Sequence, residues 1–184
     1  MIMTSKKAEL VYQTPLGEIS GYLDYSGPLE SLAQVEVSEP ILPAHMKIAE
    51  CRVFKWKIKV TEDCNGFKTI CKFEPTCKVD GGPESGEHLD AQGWESEKHI
   101  LSIGTDDSQY LNFRADKNIL PKRFATHNPD GLGWVNYVDN GLEIEVPNLL
   151  KNEYIELRFS IAWKEKEQNE NDVSTWFAVD LALH

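Results

Sequence analysis

The amino-acid sequence predicts an all-β fold, an antiparallel β-sandwich or barrel-like domain with at most one or two short helices. Apolar side chains occupy every second position from Tyr154 to Lys164, which is typical of a strand with one buried face. A similar alternation from Ser174 to Leu183 predicts a neighbouring strand whose apolar row faces the same core. Further strand-like runs, separated by turn sequences at short intervals, favour a sandwich or a barrel.

The first of these runs also fits a helix in part. A helix would align Ile155, Phe159 and Trp163 on one side, but it would leave Leu157 and Ile161 on a polar flank. The β-branched and aromatic content of the run favours the strand.

Length and charge limit the class of protein. A chain of 184 residues fits one domain, predicted to span residues 1–184 with long loops at about 78–98 and 125–141. The formal net charge of -11 argues against nucleic acid and anionic membranes as partners, because both are negatively charged. The first residues lack the apolar run of a signal peptide, and no stretch is long enough to span a bilayer. The sequence therefore predicts a cytoplasmic protein.

The N-terminal quarter contains a predicted hairpin, a helix and a strand. Runs from Glu9 to Tyr12 and from Glu18 to Tyr25 flank the turn sequence Thr14-Pro15-Leu16-Gly17. Pro28 to Gln34 is the one convincing candidate for a short helix, and Val35 to Val37 follows as a strand.

A second hairpin is predicted around Asn65-Gly66, a strong two-residue turn signal that follows a long strand from about Ile48 to Glu62. This register sets Val60 opposite Cys71 and Ile58 opposite Phe73. It also gathers five lysines on one face, namely Lys55, Lys57, Lys59, Lys68 and Lys72.

The four cysteines are predicted to be reduced thiols. In the hairpin register Cys64 and Cys71 lie about 13 Å apart along the ladder, which is too far for a disulfide. Cys51 and Cys77 fall on opposite faces of the hairpin unless a β-bulge intervenes. The sequence has no CxxC pair with a histidine at ligand spacing, so no metal and no cofactor is predicted.

The second half of the chain alternates strands with polar loops. Residues 79–97 are rich in glycine and acids and are predicted to be a long loop. Ile100 to Gly104 and Tyr110 to Ala115 form a third predicted hairpin around Thr105-Asp106-Asp107-Ser108, where the acids suit a turn. A second rich loop at 125–141 leads into an alternating strand from Leu142 to Val146.

The two long loops are the predicted binding site. Each carries a tryptophan after a glycine, Trp94 and Trp134, and an exposed aromatic face can stack on a sugar ring or another flat ligand. In the alternative interpretation both tryptophans fold back to cover the ends of the core. The predicted ligand-binding residues are Trp94, Trp134, Tyr137, Asp90, His127, Asn128 and Asp130.

The resulting hypothesis is a soluble binding module for a carbohydrate or another polar small ligand. An enzyme is the first alternative, with His127 beside Asp130, or His88 beside Glu87 and Asp90, as an acid-base pair. No catalytic motif enforces such a pair. Calcium at the loop acids is conceivable, although the DxDxDG pattern is missing.

A protein-protein interaction module is the second alternative. The lysine face of the second hairpin offers a patch of positive charge to a partner. A homodimer interface on the second face of the C-terminal strand is also conceivable, around Trp176, Ala178 and Ala182.

Overall fold

Two antiparallel sheets pack face to face in the computed structural model, which describes residues 5–25, 33–126, 133–167 and 173–184, and the predicted all-β sandwich is confirmed. Within those ranges the elements are β1 (Ser5–Thr14), β2 (Gly17–Tyr25), β3 (Ala33–Ser38), β4 (Glu50–Lys59), β5 (Phe67–Pro75), β6 (Asp80–Gly86), β7 (Leu89–Glu95), β8 (His99–Asp106), α1 (Ser108–Asp116), β9 (Val135–Val138), β10 (Gly141–Val146), β11 (Tyr154–Glu165) and α2 (Ser174–Leu183). Short 3-10 segments occupy Ala44–Met46 and Lys122–Ala125.

The five-stranded sheet has the order β1-β2-β5-β10-β9, and the six-stranded sheet has the order β3-β4-β11-β8-β7-β6. Every neighbouring pair is antiparallel. Alternate residues of both sheets point into the space between them and form the main core. Its largest fully buried side chains include Trp56, Phe54, Phe73, Phe124 and Phe159.

The alternation predicted for Tyr154 to Lys164 is confirmed in β11. This strand lies between β4 and β8, with Leu157 opposite Trp56 and Ile161 opposite Ile103. All four side chains are buried in the core. A central strand whose partners on both sides are apolar has little freedom to shift its register, since a slip of one residue would expose the whole row.

The N-terminal hairpin is also confirmed, with β1 and β2 paired around the predicted turn. The Thr14 hydroxyl closes this turn by accepting hydrogen bonds from the amides of Leu16 and Gly17, each at 3.2 Å. Gly17 is required because a Cβ there would clash with the Glu74 carbonyl of β5.

The second hairpin prediction is wrong in its pairing. β4 and β5 exist, but they belong to different sheets, and β4 pairs with β3 and β11 while β5 pairs with β2 and β10. The chain between them crosses from one sheet to the other, held by hydrogen bonds in both directions between Cys64 and Leu149. Gly66 does not form a two-residue turn. Its lack of a Cβ instead allows the chain to pass close to the Val146 carbonyl oxygen.

Because of this crossing, the predicted face of five lysines does not form. Lys57 on the six-stranded sheet pairs with Glu36, and Lys68 on the five-stranded sheet pairs with Glu143. All four cysteines are free thiols. Burial raises the pKa of the Cys51 thiol to about 11 and that of the Cys71 thiol to about 12.

The predicted C-terminal strand is wrong, because Ser174–Leu183 is helix α2. It packs on the outer face of the six-stranded sheet, where the residues beneath it are small, for example Cys51, Ala91 and Ala162. A Cβ at Gly104 would clash with Val179, so the helix lies close to the sheet. The sequence predicted a possible dimer face around Trp176, Ala178 and Ala182, and these side chains pack against this chain's own six-stranded sheet instead.

The third predicted hairpin is wrong in its second half. β8 is present, but the segment after it is helix α1, whose N-terminus is capped by the Asp107 carboxylate accepting a 2.6 Å hydrogen bond from the Tyr110 amide. Asp107 therefore marks the start of a helix and not the tip of a hairpin. Neither helix of the described ranges is long and apolar enough to cross a membrane.

Two further predictions change. The predicted loop at 79–97 is the hairpin of β6 and β7, and β9 occupies part of the loop at 125–141. Of the predicted helix Pro28 to Gln34, residues 28–32 lie outside the described ranges, and Ala33 and Gln34 belong to β3. The strand prediction for Val35 to Val37 is confirmed.

Candidate functional site

The two tryptophans of the predicted site lie in the core, each with 4% of its surface exposed. The Trp94 ring packs against Phe73 with centroids 4.9 Å apart. The Trp134 Nε1 donates hydrogen bonds to the Phe124 carbonyl at 3.0 Å and to Asn112 Oδ1 at 3.2 Å. The structure therefore corresponds to the alternative in which the tryptophans cover the core, and neither indole offers an open face for stacking.

Tyr137 and Asp90 are brought together, but as a brace between the two sheets. Tyr137 extends from the edge strand β9, and its hydroxyl lies 2.9 Å from Asp90 Oδ1 and 2.9 Å from the Glu84 carbonyl oxygen. One hydroxyl proton serves two acceptors. Burial raises the pKa of the Asp90 carboxyl, and the negative charge of Asp107 adds to this rise while the hydrogen bond from Tyr137 opposes it.

The three remaining predicted residues, His127, Asn128 and Asp130, lie outside the described ranges. Of the predicted ligand-binding set, the described part of the chain shows Tyr137 and Asp90 in contact and the two tryptophans in the core. For the alternative acid-base pair, the His88 ring packs against Tyr110 with centroids 5.3 Å apart, and its buried Nδ1 has no hydrogen-bond partner among the described residues. Within the described ranges no group of three or more histidine, cysteine, aspartate and glutamate side chains could hold a metal ion.

A cleft at one end of the sandwich is the better candidate. It has a volume of about 680 Å³ and lies where the β1-β2 turn, the end of β5, the start of β6, the β7-β8 turn and the end of β11 converge. The lining residues are Pro15, Cys77, Lys78, Asp80, Glu95, Ser96, Glu97, Lys98, His99 and Lys166.

The β7-β8 turn forms one wall of this cleft and is rigidly built. The Ser96 hydroxyl accepts hydrogen bonds from the amides of Lys98 and His99, at 3.3 and 3.0 Å. The His99 ring in turn meets the Trp163 ring edge to face at 6.0 Å. Glu97 and Lys98 therefore stand at the tip of an ordered turn, with a cation and an anion side by side.

The described lining of the cleft carries three lysines and three carboxylates. Two of these residues, Lys166 and Glu95, form an ion pair with each other. Within the described residues, no ion pair is formed by Lys78 or Lys98. The carboxylates of Asp80 and Glu97 are the remaining anions of the lining. Such a cleft can hold a cationic and an anionic group of one ligand at the same time.

Sequence reasoning found only part of this site. The acids at 80, 95 and 97 fall in the predicted 79–97 loop, whereas His99 and the three lysines were not singled out. No local motif joins them, because they come from separate strand ends that only the sheet topology brings together.

The sequence matches no protein-family model, no curated protein and no solved structure.

Proposed function

We propose that the protein is a binding module for a polar small ligand that carries both a positive and a negative group, held in the cleft at the end of the sandwich. The observation that supports this proposal most is the cleft itself, whose volume of about 680 Å³ suits a small-molecule site. The presence of both lysines and carboxylates in its lining then indicates which ligand groups it can bind. Lys78 and Lys98 suit a ligand carboxylate, and Asp80 and Glu97 suit an ammonium group.

A zwitterion fits this lining better than a sugar does. Sugar recognition commonly uses an aromatic face for stacking, and among the described lining residues the only rings are those of Pro15 and His99. A strongly charged ligand of either sign fits less well, because the lining charges nearly cancel and would repel part of it.

A thermal-shift screen tests this proposal. The panel contains amino acids and other zwitterions, neutral sugars, dicarboxylates and polyamines. A ligand at about 100 times its dissociation constant adds about 2.7 kcal/mol, which corresponds to a shift of roughly 5 to 10 °C in a domain of this size. A shift with zwitterions supports the proposal.

Two matched double variants test whether the ligand binds in this cleft. The double variant Lys78→Ala/Lys98→Ala should lose the shift, because it removes the cations that meet the ligand carboxylate. The control Lys59→Ala/Lys151→Ala removes the same charge at two exposed lysines outside the cleft and should keep it. Equal loss in both variants, or a shift with sugars alone, would contradict the proposed ligand class.

A further inference from the structure

Helix α2 is apolar on two opposite sides. One side carries Ala178 and Val179 and is buried against the six-stranded sheet. The other side carries Phe177 and Leu181, with Val173 just before the helix, at a spacing of four residues that places them in one row. Their exposed fractions are 48%, 52% and 54%. Within the described residues α2 packs on the six-stranded sheet and on the Ala44–Met46 segment, and both contacts lie on its first apolar side.

The row continues onto α1 through a chain of ring contacts. The His184 ring, one turn beyond Leu181, meets the Tyr110 ring at 4.7 Å, and Tyr110 stacks on Phe113 at 5.7 Å. Phe113 is 47% exposed. We call Val173, Phe177, Leu181, Tyr110 and Phe113 the apolar stripe. Eight residues along α2 account for about 12 Å of it, so the whole stripe is roughly 25 Å long.

The size of the apolar stripe argues against a second copy of the chain as its occupant. Four of its side chains leave about half of their surface open, on the order of 100 Å² each, or about 400 Å² together. A stable dimer buries about 800 Å² on each partner. Two copies that each carry a net charge of -11 also repel one another.

The charge beside the apolar stripe indicates the chemistry of the partner. Val173 also lines a cleft of about 240 Å³ next to Trp176, and the charged residues of that cleft are Asp80, Glu84 and Glu95. Among the described residues that line it there is no lysine, arginine or histidine. Glu95 is paired with Lys166, which leaves two carboxylates to meet a basic side chain.

We infer that the apolar stripe and this acidic cleft together dock an amphipathic helix of another protein, with apolar residues on one side and lysine or arginine at the end that meets Val173. This mode of recognition places an apolar helix face along a complementary surface, with anchors three and four residues apart. The acidic cleft shares Asp80 and Glu95 with the cleft at the sandwich end, whereas no residue of the apolar stripe lines that cleft. The variant Phe177→Gln/Leu181→Gln therefore tests this inference separately from the proposed ligand.

Three synthetic peptides test the inference. A leucine-lysine peptide of about 18 residues in amphipathic order spans about 27 Å as a helix, enough to cover the apolar stripe. The second peptide has the same composition in scrambled order, and the third replaces lysine by glutamate. Binding is measured by fluorescence anisotropy, with the ordered leucine-lysine peptide expected to bind at least about tenfold more tightly than the scrambled one, a difference of about 1.4 kcal/mol.

Two protein variants locate the binding. Phe177→Gln/Leu181→Gln should weaken the ordered peptide at least about tenfold. Leu150→Gln is the control, because Leu150 is also 52% exposed but lies in the turn after β10. Asp80→Asn/Glu84→Gln keeps the apolar stripe and should weaken the lysine peptide while leaving the melting temperature nearly unchanged.

Three outcomes would overturn the inference. The first is equal binding of ordered and scrambled peptides, which would show attraction by net charge alone. The second is equal binding by the wild type and Phe177→Gln/Leu181→Gln. The third is a dimer in sedimentation velocity that Leu181→Gln abolishes, which would assign the apolar stripe to a second copy of the chain.

Discussion

Replacing Asp106 by Asn should unfold the protein at markedly lower denaturant concentration. The Asp106 carboxylate is 1% exposed and accepts a 2.7 Å hydrogen bond from Arg114 and another from Arg158. Arg114 also donates to the Glu156 carbonyl, and Arg158 donates to the Leu183 carbonyl at the end of α2. This ionic cluster therefore joins β8, α1, β11 and α2.

The size of the effect follows from burial. The side chains of Arg114 and Arg158 are only 6% and 17% exposed, so the asparagine leaves two guanidinium groups without their counter-charge away from water. Breaking a buried ion pair on one side typically destabilises a protein by about 3 to 5 kcal/mol. Asparagine keeps one acceptor oxygen, so the expected loss for Asp106→Asn is about 3 kcal/mol, or about 6 to 12 °C in melting temperature.

Urea unfolding followed by tryptophan fluorescence measures this loss. The control is Glu36→Gln, which breaks the exposed pair with Lys57 and should shift the midpoint very little. Hydrogen exchange gives a second measurement. If Asp106→Asn weakens the hydrogen bond from Arg158 to the Leu183 carbonyl, amide exchange in α2 should become faster. A loss below about 1 kcal/mol for Asp106→Asn would show that the ionic cluster does not hold the helices to the sheet.

Three further predictions concern the core, the brace and the thiols. Trp94→Ala should lower the free energy of unfolding by about 3 to 5 kcal/mol, because the indole fills the core against Phe73, and a loss below about 1 kcal/mol in denaturant titration would place it at the surface. Since burial raises the pKa of Asp90, the folded protein binds this proton more tightly than the unfolded chain does, and stability contributed by Asp90 rises as the pH falls from neutral through the raised pKa. The variant Asp90→Asn should therefore exceed the wild type in unfolding free energy by the largest margin at neutral pH, and this margin should shrink toward about pH 4. A margin that does not change with pH would show that protonation of Asp90 is not its cause. Alkylation of the native protein, followed by mass spectrometry, should modify the exposed Cys77 well before Cys71, whose pKa burial raises to about 12, and equal rates would contradict that burial.

The sequence predicted those strands that have one apolar and one polar face. In β11 the apolar row from Ile155 to Ile161 faces the core, and the alternation of hydrophobicity was sufficient to identify it. The N-terminal hairpin was equally readable, because its turn residues and its flanking strands agree.

Helix α2 was misread because seven of its ten residues are apolar and lie on both of its sides. A segment buried on one side and apolar on the other fits a period of two as well as a period of 3.6. A clue was present in the strands beneath it. The second faces of β8 and β11 carry small residues, namely Ser102, Gly104, Ser160 and Ala162, which indicates a sheet face covered by a closely packed element.

The pairing of β4 and β5 failed for a different reason. Asn65-Gly66 is a strong local turn signal, but the competing partners of both strands lie far along the chain, and no local pattern reports them. The same limit applies to the cleft at the sandwich end. Its lining comes from residues 15 to 166, so its existence depends on strand order rather than on any one stretch of sequence.

Titration of the isotope-labelled protein with a zwitterionic amino acid, followed by amide chemical shifts, tests the proposed binding site most directly. The proposal predicts saturable shifts at residues 77–80 and 95–99, and their loss in Lys78→Ala/Lys98→Ala but not in Lys59→Ala/Lys151→Ala. Saturable shifts confined to other parts of the chain, or no shifts with any zwitterion of the panel, would contradict it.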